Sequence, residues 1–149
     1  MRGRSTQEIR IASSSMLGDG TLPSPTVKPE ELKGHLDALI LAVIASQPAH
    51  GYLVIESLRA RSAGTLVLPE GTVYPALHRL EQKGFLRSDW SDQSGRRRRT
   101  YRITALGERE LEASRQRWKV FSRAIAEVLG TESQGIREDR RGAAAFREP

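Results

Sequence analysis

A mostly α-helical chain carrying one small β-hairpin is what this sequence predicts, on three observations. Apolar residues recur at helical spacing in three successive segments between Leu32 and Leu80. Two short alternating runs, Leu86–Trp90 and Arg98–Ile103, flank a polar loop, Ser91–Gly95. A long last segment, Ala105–Leu129, then keeps an apolar row at alternating steps of three and four.

Residues 1–28 contain Ser13–Ser15, Gly18, Gly20, Pro23 and Pro25 without a lasting apolar period, which predicts a flexible arm. Met1–Ser15 is rich in Arg and Ser and poor in acids, a composition shared with organelle transit peptides, but a flexible arm is the preferred reading. Met16 offers a second candidate start of translation. Helical structure is expected from Pro29, a proline in the first turn followed by Glu30 and Glu31, which suit the positive end of a helix dipole. Leu32, Leu36, Leu39, Ile40, Val43 and Ile44 carry this first helix as far as Pro48. His50, Gly51 and Tyr52 open a second helix with Tyr52, Ile55 and Leu58 on one face and Gly64 beyond its end. In the third, starting near Gly71, Val73, Leu77 and Leu80 form the buried stripe. Thr72, Tyr74, Pro75, His78, Arg79 and Gln82 lie on the other side. Pro75 is awkward inside a helix and belongs in the first turn or just beyond it, and Gly84 supplies a left-handed C-terminal cap.

After the hairpin, Thr104 is a natural N-cap for the last helix, about 37 Å long at 1.5 Å per residue. Leu111, Ser114, Trp118, Phe121, Ile125 and Val128 form a heptad-like seam of the kind that pairs helices, and Gly130 ends it. The tail, residues 131–149, balances its charges and is expected to be disordered. The order helix, helix, helix, two-stranded wing, long helix is that of a winged helix-turn-helix (29–104) with a C-terminal dimerisation helix (105–130).

The 149 residues fit one modest domain with tails, and 38% hydrophobic content leaves stability to be supplemented by self-association. A net charge of +6 favours an anionic partner. The longest apolar stretch, Leu36–Ala45, falls short of the roughly 20 residues a membrane helix needs. Cysteine is absent, which removes disulfides, thiolate metal sites and cysteine nucleophiles and fits a reducing cytoplasm. The three histidines stand on separate elements with no carboxylate at ligand spacing, so no metal site is expected. Nucleophile–base pairs and paired carboxylates are likewise not evident, so no cofactor and no catalysis are expected.

A helix with an outward polar face beside a hairpin whose tip carries Arg96, Arg97, Arg98 and Arg99 suits a grip on duplex DNA. In that reading Thr72, Tyr74, Pro75, His78 and Arg79 face the major groove, and Arg79 has the fork geometry for guanine. Tyr74 sits at the edge of the buried stripe and is equally suited to the core. The wing arginines meet phosphates, and alternation turns some of them inward. A winged-helix module that docks a protein or carries a ligand is the alternative; four adjacent cations argue against it.

These residues together resemble the PadR family of bacterial transcriptional regulators. The resemblance rests on Leu32–Gly34, His50–Tyr52, Gly71–Glu81, Gly84–Leu86, the wing, Tyr101–Thr104, Gly107 and Trp118, and it spans Glu31 to Leu129. It implies a cytoplasmic homodimer joined through its C-terminal helices, repression of a nearby promoter from a palindromic operator, and release by a small, often aromatic, effector. Trp118 falls where a tryptophan in the short form of the family lines a ligand pore, although packing alone also explains it. Pro69 departs from the family, which often has a helix-capping serine there.

Overall fold

The computed structural model describes residues 25–131. The expected arm up to residue 24 and the expected tail from residue 132 lie outside the described residues. Residues 25–28, assigned to the arm, belong to the fold: the Val27 N–H donates to the Thr65 carbonyl (3.1 Å), and its side chain packs against the core.

Pro29–Leu32 forms a single 3₁₀ turn, with Lys28 N–H donating to Glu31 Oε2 at 2.8 Å. The continuous helix expected from Pro29 is therefore divided. Gly34 adopts φ +87°, a left-handed conformation that a helix cannot pass through, and α1 (Leu36–Ser46) begins only after it. α1 buries Ile40, Leu41, Val43 and Ile44. Beyond Pro48, Ala49 exchanges two backbone hydrogen bonds with Tyr101 (3.1 and 2.8 Å) and so adds a one-residue bridge to the hairpin.

Helix α2 (Gly51–Arg61) is capped by His50, whose Nδ1 accepts the Leu53 N–H at 3.1 Å. Its buried stripe is Gly51, Val54 and Leu58. Tyr52, expected on that stripe, is exposed and stacks on the His50 ring. The two positions lie about 100° apart around the helix, and the close approach of α3 selects the residue without a side chain.

Helix α3 (Glu70–Gln82) buries Val73, Ala76, Leu77 and Leu80. Its N-cap is Pro69, without a side-chain cap bond. Pro75 is the sixth helical residue, so it removes one bond just past the first turn. At the other end Gly84 (φ +81°) closes a Schellman motif, with Phe85 N–H to the Leu80 carbonyl and Gly84 N–H to the Glu81 carbonyl, both 3.0 Å.

The hairpin is longer and tighter than expected. Strands β1 (Leu86–Gln93) and β2 (Arg96–Ile103) pair antiparallel from Leu86↔Ile103 to Gln93↔Arg96. Ser94 (φ +58°) and Gly95 (φ +74°) alone make the turn, since two positive φ values match the strand twist. Arg96 and Arg97, expected at the tip before the second strand, consequently sit on β2 itself together with Arg98 and Arg99.

Helix α4 (Ala105–Leu129) starts at Thr104, whose Oγ1 accepts the Gly107 N–H at 3.0 Å, and ends at Gly130 (φ +72°). Leu111, expected on the pairing seam, is instead 4% exposed within the chain's own core. The core is continuous from Leu32 through α1–α3 to Leu86, Tyr101 and Leu111. Among the described residues no helix is long and apolar enough to cross a membrane.

Candidate nucleic-acid interface

The N-terminus of α2, the outward side of α3 and the wing enclose an open cleft of about 560 Å³. Its lining includes Tyr74 and His78 from α3, Trp90 from β1 and Arg96–Arg99 from β2, and no lining residue is acidic. The hairpin register explains the convergence. Trp90 stands opposite Arg99 and diagonal to Arg97, and both guanidinium carbons lie over its ring, at 5.8 and 4.9 Å from the centroid. The negative face of this exposed indole attracts both cations.

The four arginines are not equivalent. Arg99 turns inward: its Nη2 lies 2.6 Å from Glu81 Oε2 and its Nε 2.7 Å from Ser88 Oγ. Ser88 Oγ also donates to Glu81 Oε1 at 2.5 Å. This half-buried triad fastens the wing to α3 and fixes the width of the cleft. Arg96, Arg97 and Arg98 are exposed and form no ion pair among the described residues.

On α3, Thr72 is half-buried, and Pro75, His78 and Gln82 are exposed on the outward side. Tyr74 is partly exposed, and its ring lies over Gly51. A Cβ at Gly51 would meet the ring carbons at 2.6–2.7 Å. This close approach favours glycine at position 51, whose φ is not positive. Arg79 points to a different neighbour, with Nη2 2.5 Å from Asp37 Oδ1 on α1, and Lys83 Nζ is 3.6 Å from the other oxygen. The guanine-reading role expected for Arg79 requires this pair to open.

His50 was not among the expected contact residues. Its cap role put it beside the wing: Nε2 lies 3.2 Å from Arg98 Nη1. Burial, and then the positive charge of Arg98, hold the imidazole pKa below its ordinary value of 6.5. The unfolded chain therefore binds this proton more readily than the folded one. Stability is expected to be full above 6.5 and to fall as the pH drops through that value towards the folded pKa. Protonation also removes the lone pair that caps α2. His50→Asn, which keeps a capping oxygen without a titrating ring, should flatten this part of a stability–pH curve from thermal melts.

The expected seam of α4 divides in two. Trp118 and Phe121 are half-exposed and cluster with His35 beside α1, the His35 ring meeting Trp118 edge-on at 5.1 Å. Ile125 and Val128 lie further along, Val128 87% exposed with no element among the described residues covering it. Trp118 lines neither the cleft above nor a second one beside Leu32 and Asp37.

A three-helix core with a cationic wing on its third helix and a long helix behind defines the winged helix-turn-helix class. The family model for the transcriptional regulator PadR-like family matches residues 40–113. The chain is similar to transcriptional regulator Rv3488 of Mycobacterium tuberculosis, 39% identical over 94 residues, 63% of this chain and 82% of that one. It is also similar to uncharacterized protein X of Lysinibacillus sphaericus, 32% identical over 74% of this chain and 98% of that one. Among solved structures, a PadR family transcription regulator from Clostridium difficile is 34% identical with TM-score 0.58, over 64% of this chain and 99% of that one. A PadR-like regulator from Bacillus cereus is 29% identical with TM-score 0.60, over 69% and 99%. The chain belongs to the PadR family of transcriptional regulators.

Proposed function

We propose that this chain acts as a homodimer that binds a palindromic duplex operator and represses transcription. The observation that carries the reading is the cleft between α3 and the wing, whose lining holds no acidic residue and three exposed arginines that form no ion pair among the described residues. The outward positions of α3, above all His78 with Thr72 and Pro75, meet base edges, and Arg96–Arg98 meet phosphates. The exposed row Trp118, Phe121, Ile125 and Val128 supports pairing of α4 helices, because an uncovered apolar helix face of this length favours a partner. Such a dimer places its two α3 helices about 34 Å apart, one duplex turn. Footprinting on the DNA upstream of the chain's own gene tests this: two symmetric half-sites one turn apart are expected, and no protection at any promoter-proximal site contradicts it.

Ile125→Glu together with Val128→Glu should yield folded monomers in analytical ultracentrifugation, since neither residue is in the core, with a melting temperature lower by what self-association contributes and no longer dependent on protein concentration. Asp37→Asn should change stability by less than about 1 kcal/mol, because the pair it breaks is surface-exposed. By releasing Arg79 and Lys83 it should tighten duplex binding and steepen its salt dependence, read by anisotropy. A flat aromatic effector stacking at Trp118 would act by changing the angle between subunits, a coupling between two sites. The Trp118–Phe121–His35 cluster, joined directly to α1, supports that route.

A further inference from the structure

The cap of α2 and the wing meet in a contact that lacks an acceptor. His50 Nδ1 accepts the Leu53 N–H, so in the neutral ring the proton resides on Nε2. Nε2 lies 3.2 Å from Arg98 Nη1, and a guanidinium has no acceptor to offer. Two donors therefore face each other. The other tautomer would satisfy Arg98 and lose the cap. The helix fixes the direction of the Leu53 N–H, whereas the exposed Arg98 side chain is free to turn, so the cap decides. The Tyr52 ring lies alongside the imidazole, with centroids 6.4 Å and planes 15° apart. No residue lining the surrounding cleft is acidic, and Glu81 is engaged by Arg99 and Ser88.

We propose that His50 Nε2–H and the Arg98 guanidinium together hold one phosphate of a DNA strand, whose oxygens supply the shared acceptor. This rests on the duplex-binding reading above and assigns His50 a role in it. Arg96 and Arg97 continue the cationic line along β2, which fits a row of backbone phosphates better than a single small anion. The contact reaches no base, so it adds affinity without sequence preference.

His50→Asn separates the two roles of the histidine. Asparagine is among the best N-caps, so the bond from the Leu53 N–H is kept while the Nε2 donor is removed. Anisotropy titrations at mildly alkaline pH, on the duplex upstream of the gene and on a scrambled duplex, read the effect across a salt series. The variant should melt as wild type and bind both duplexes about tenfold more weakly per subunit, the loss of one hydrogen bond to a charged group in each half of the dimer. Its salt slope should stay unchanged, because a neutral ring displaces no counterion. Arg98→Ser should reduce the slope by about one per subunit. The double variant should lose less than the product of the single losses, since both groups act on one phosphate. Wild-type affinity in His50→Asn, a loss on one duplex alone, or single losses that simply multiply would each overturn the proposal. Should Asn melt lower, His50→Ser repeats the comparison with a different capping group. The ring nitrogen NMR spectrum of the wild type gives an independent reading: a proton on Nε2 whose resonance moves when duplex is added is expected, and a proton on Nδ1 overturns the proposal. Failure of the wild type to bind either duplex at low salt would instead sink the DNA reading as a whole.

Discussion

Replacing Arg96, Arg97 and Arg98 together by serine is expected to abolish measurable retention of duplex DNA while leaving the fold intact. Each of these side chains is exposed, and none is ion-paired among the described residues, so their removal deprives the folded chain of little. Removing mutual repulsion along one strand acts, if anything, in favour of the fold. Arg99 is left in place because it ties the wing to Glu81 and Ser88; changing it would confuse a lost contact with a displaced hairpin. Three charge-assisted contacts at about 1.5 kcal/mol each amount to over about 4 kcal/mol, roughly a thousandfold in affinity for each subunit of the dimer. The slope of log affinity against log salt should flatten by about 0.9 for every phosphate released, hence by about two to three units per subunit. A triple variant that binds with the wild-type slope would show that the wing does not meet the backbone.

The largest expected effect on stability comes from a single methyl group at Gly107. This residue is buried in the first turn of α4, and a Cβ there would lie 2.1 Å from the Phe85 carbonyl oxygen and 2.8 Å from Ile103 Cγ1. The Phe85 carbonyl cannot retreat. It accepts the Thr104 N–H at 3.1 Å, while Thr104 Oγ1 donates to the Gly84 carbonyl at 2.6 Å. The end of α3, the start of β1, the end of β2 and the start of α4 are thus joined at one point, and Gly107→Ala must push α4 away from it. A destabilisation of about 3 kcal/mol is expected, at the upper end for overpacking. In a domain of this size that lowers the melting temperature by more than about 10 °C. Gly51→Ala meets the ring of Tyr74, a partly exposed side chain that can rotate aside, and should lower it less. Equal melting temperatures for wild type and Gly107→Ala would contradict the close approach seen at this junction.

Much of this architecture was legible in the chain because local chemistry and global fold agree. Val73, Leu77 and Leu80 repeat at the helical period, Thr104 and Gly130 bound the last helix, and Gly84 stops the third; all hold in the structure. What escaped prediction depended on contacts between elements. Gly34 divides the first helix because the chain must turn there to bring Leu32 into the core, a demand that a run of leucines does not reveal. Tyr52 gives way to Gly51 on the buried face because the Tyr74 ring occupies the space beside it. The dipeptide Ser94–Gly95 carries a two-residue turn signal that extends both strands and puts Arg96 and Arg97 on β2. Leu111 shares the heptad spacing of the α4 seam, yet in the structure it sits in the chain's own core, because the first turns of α4 pack against that core and the last turns, with Ile125 and Val128, extend beyond it. For the interface, residue type and spacing indicated the cleft but not its pairings. That Arg79 is held by Asp37, Arg99 by Glu81, and that His50 faces Arg98 follows from distances no sequence period encodes.

If the α3–wing cleft reads and grips duplex DNA, binding must depend on both sequence and salt. Wild-type chain is titrated by fluorescence anisotropy against the duplex upstream of its own gene and against a scrambled duplex of the same length, across a salt series. The account predicts tighter binding to the upstream duplex, with log affinity falling linearly and steeply with log salt for both. Equal, salt-insensitive binding to the two duplexes, or none at low salt, would contradict it.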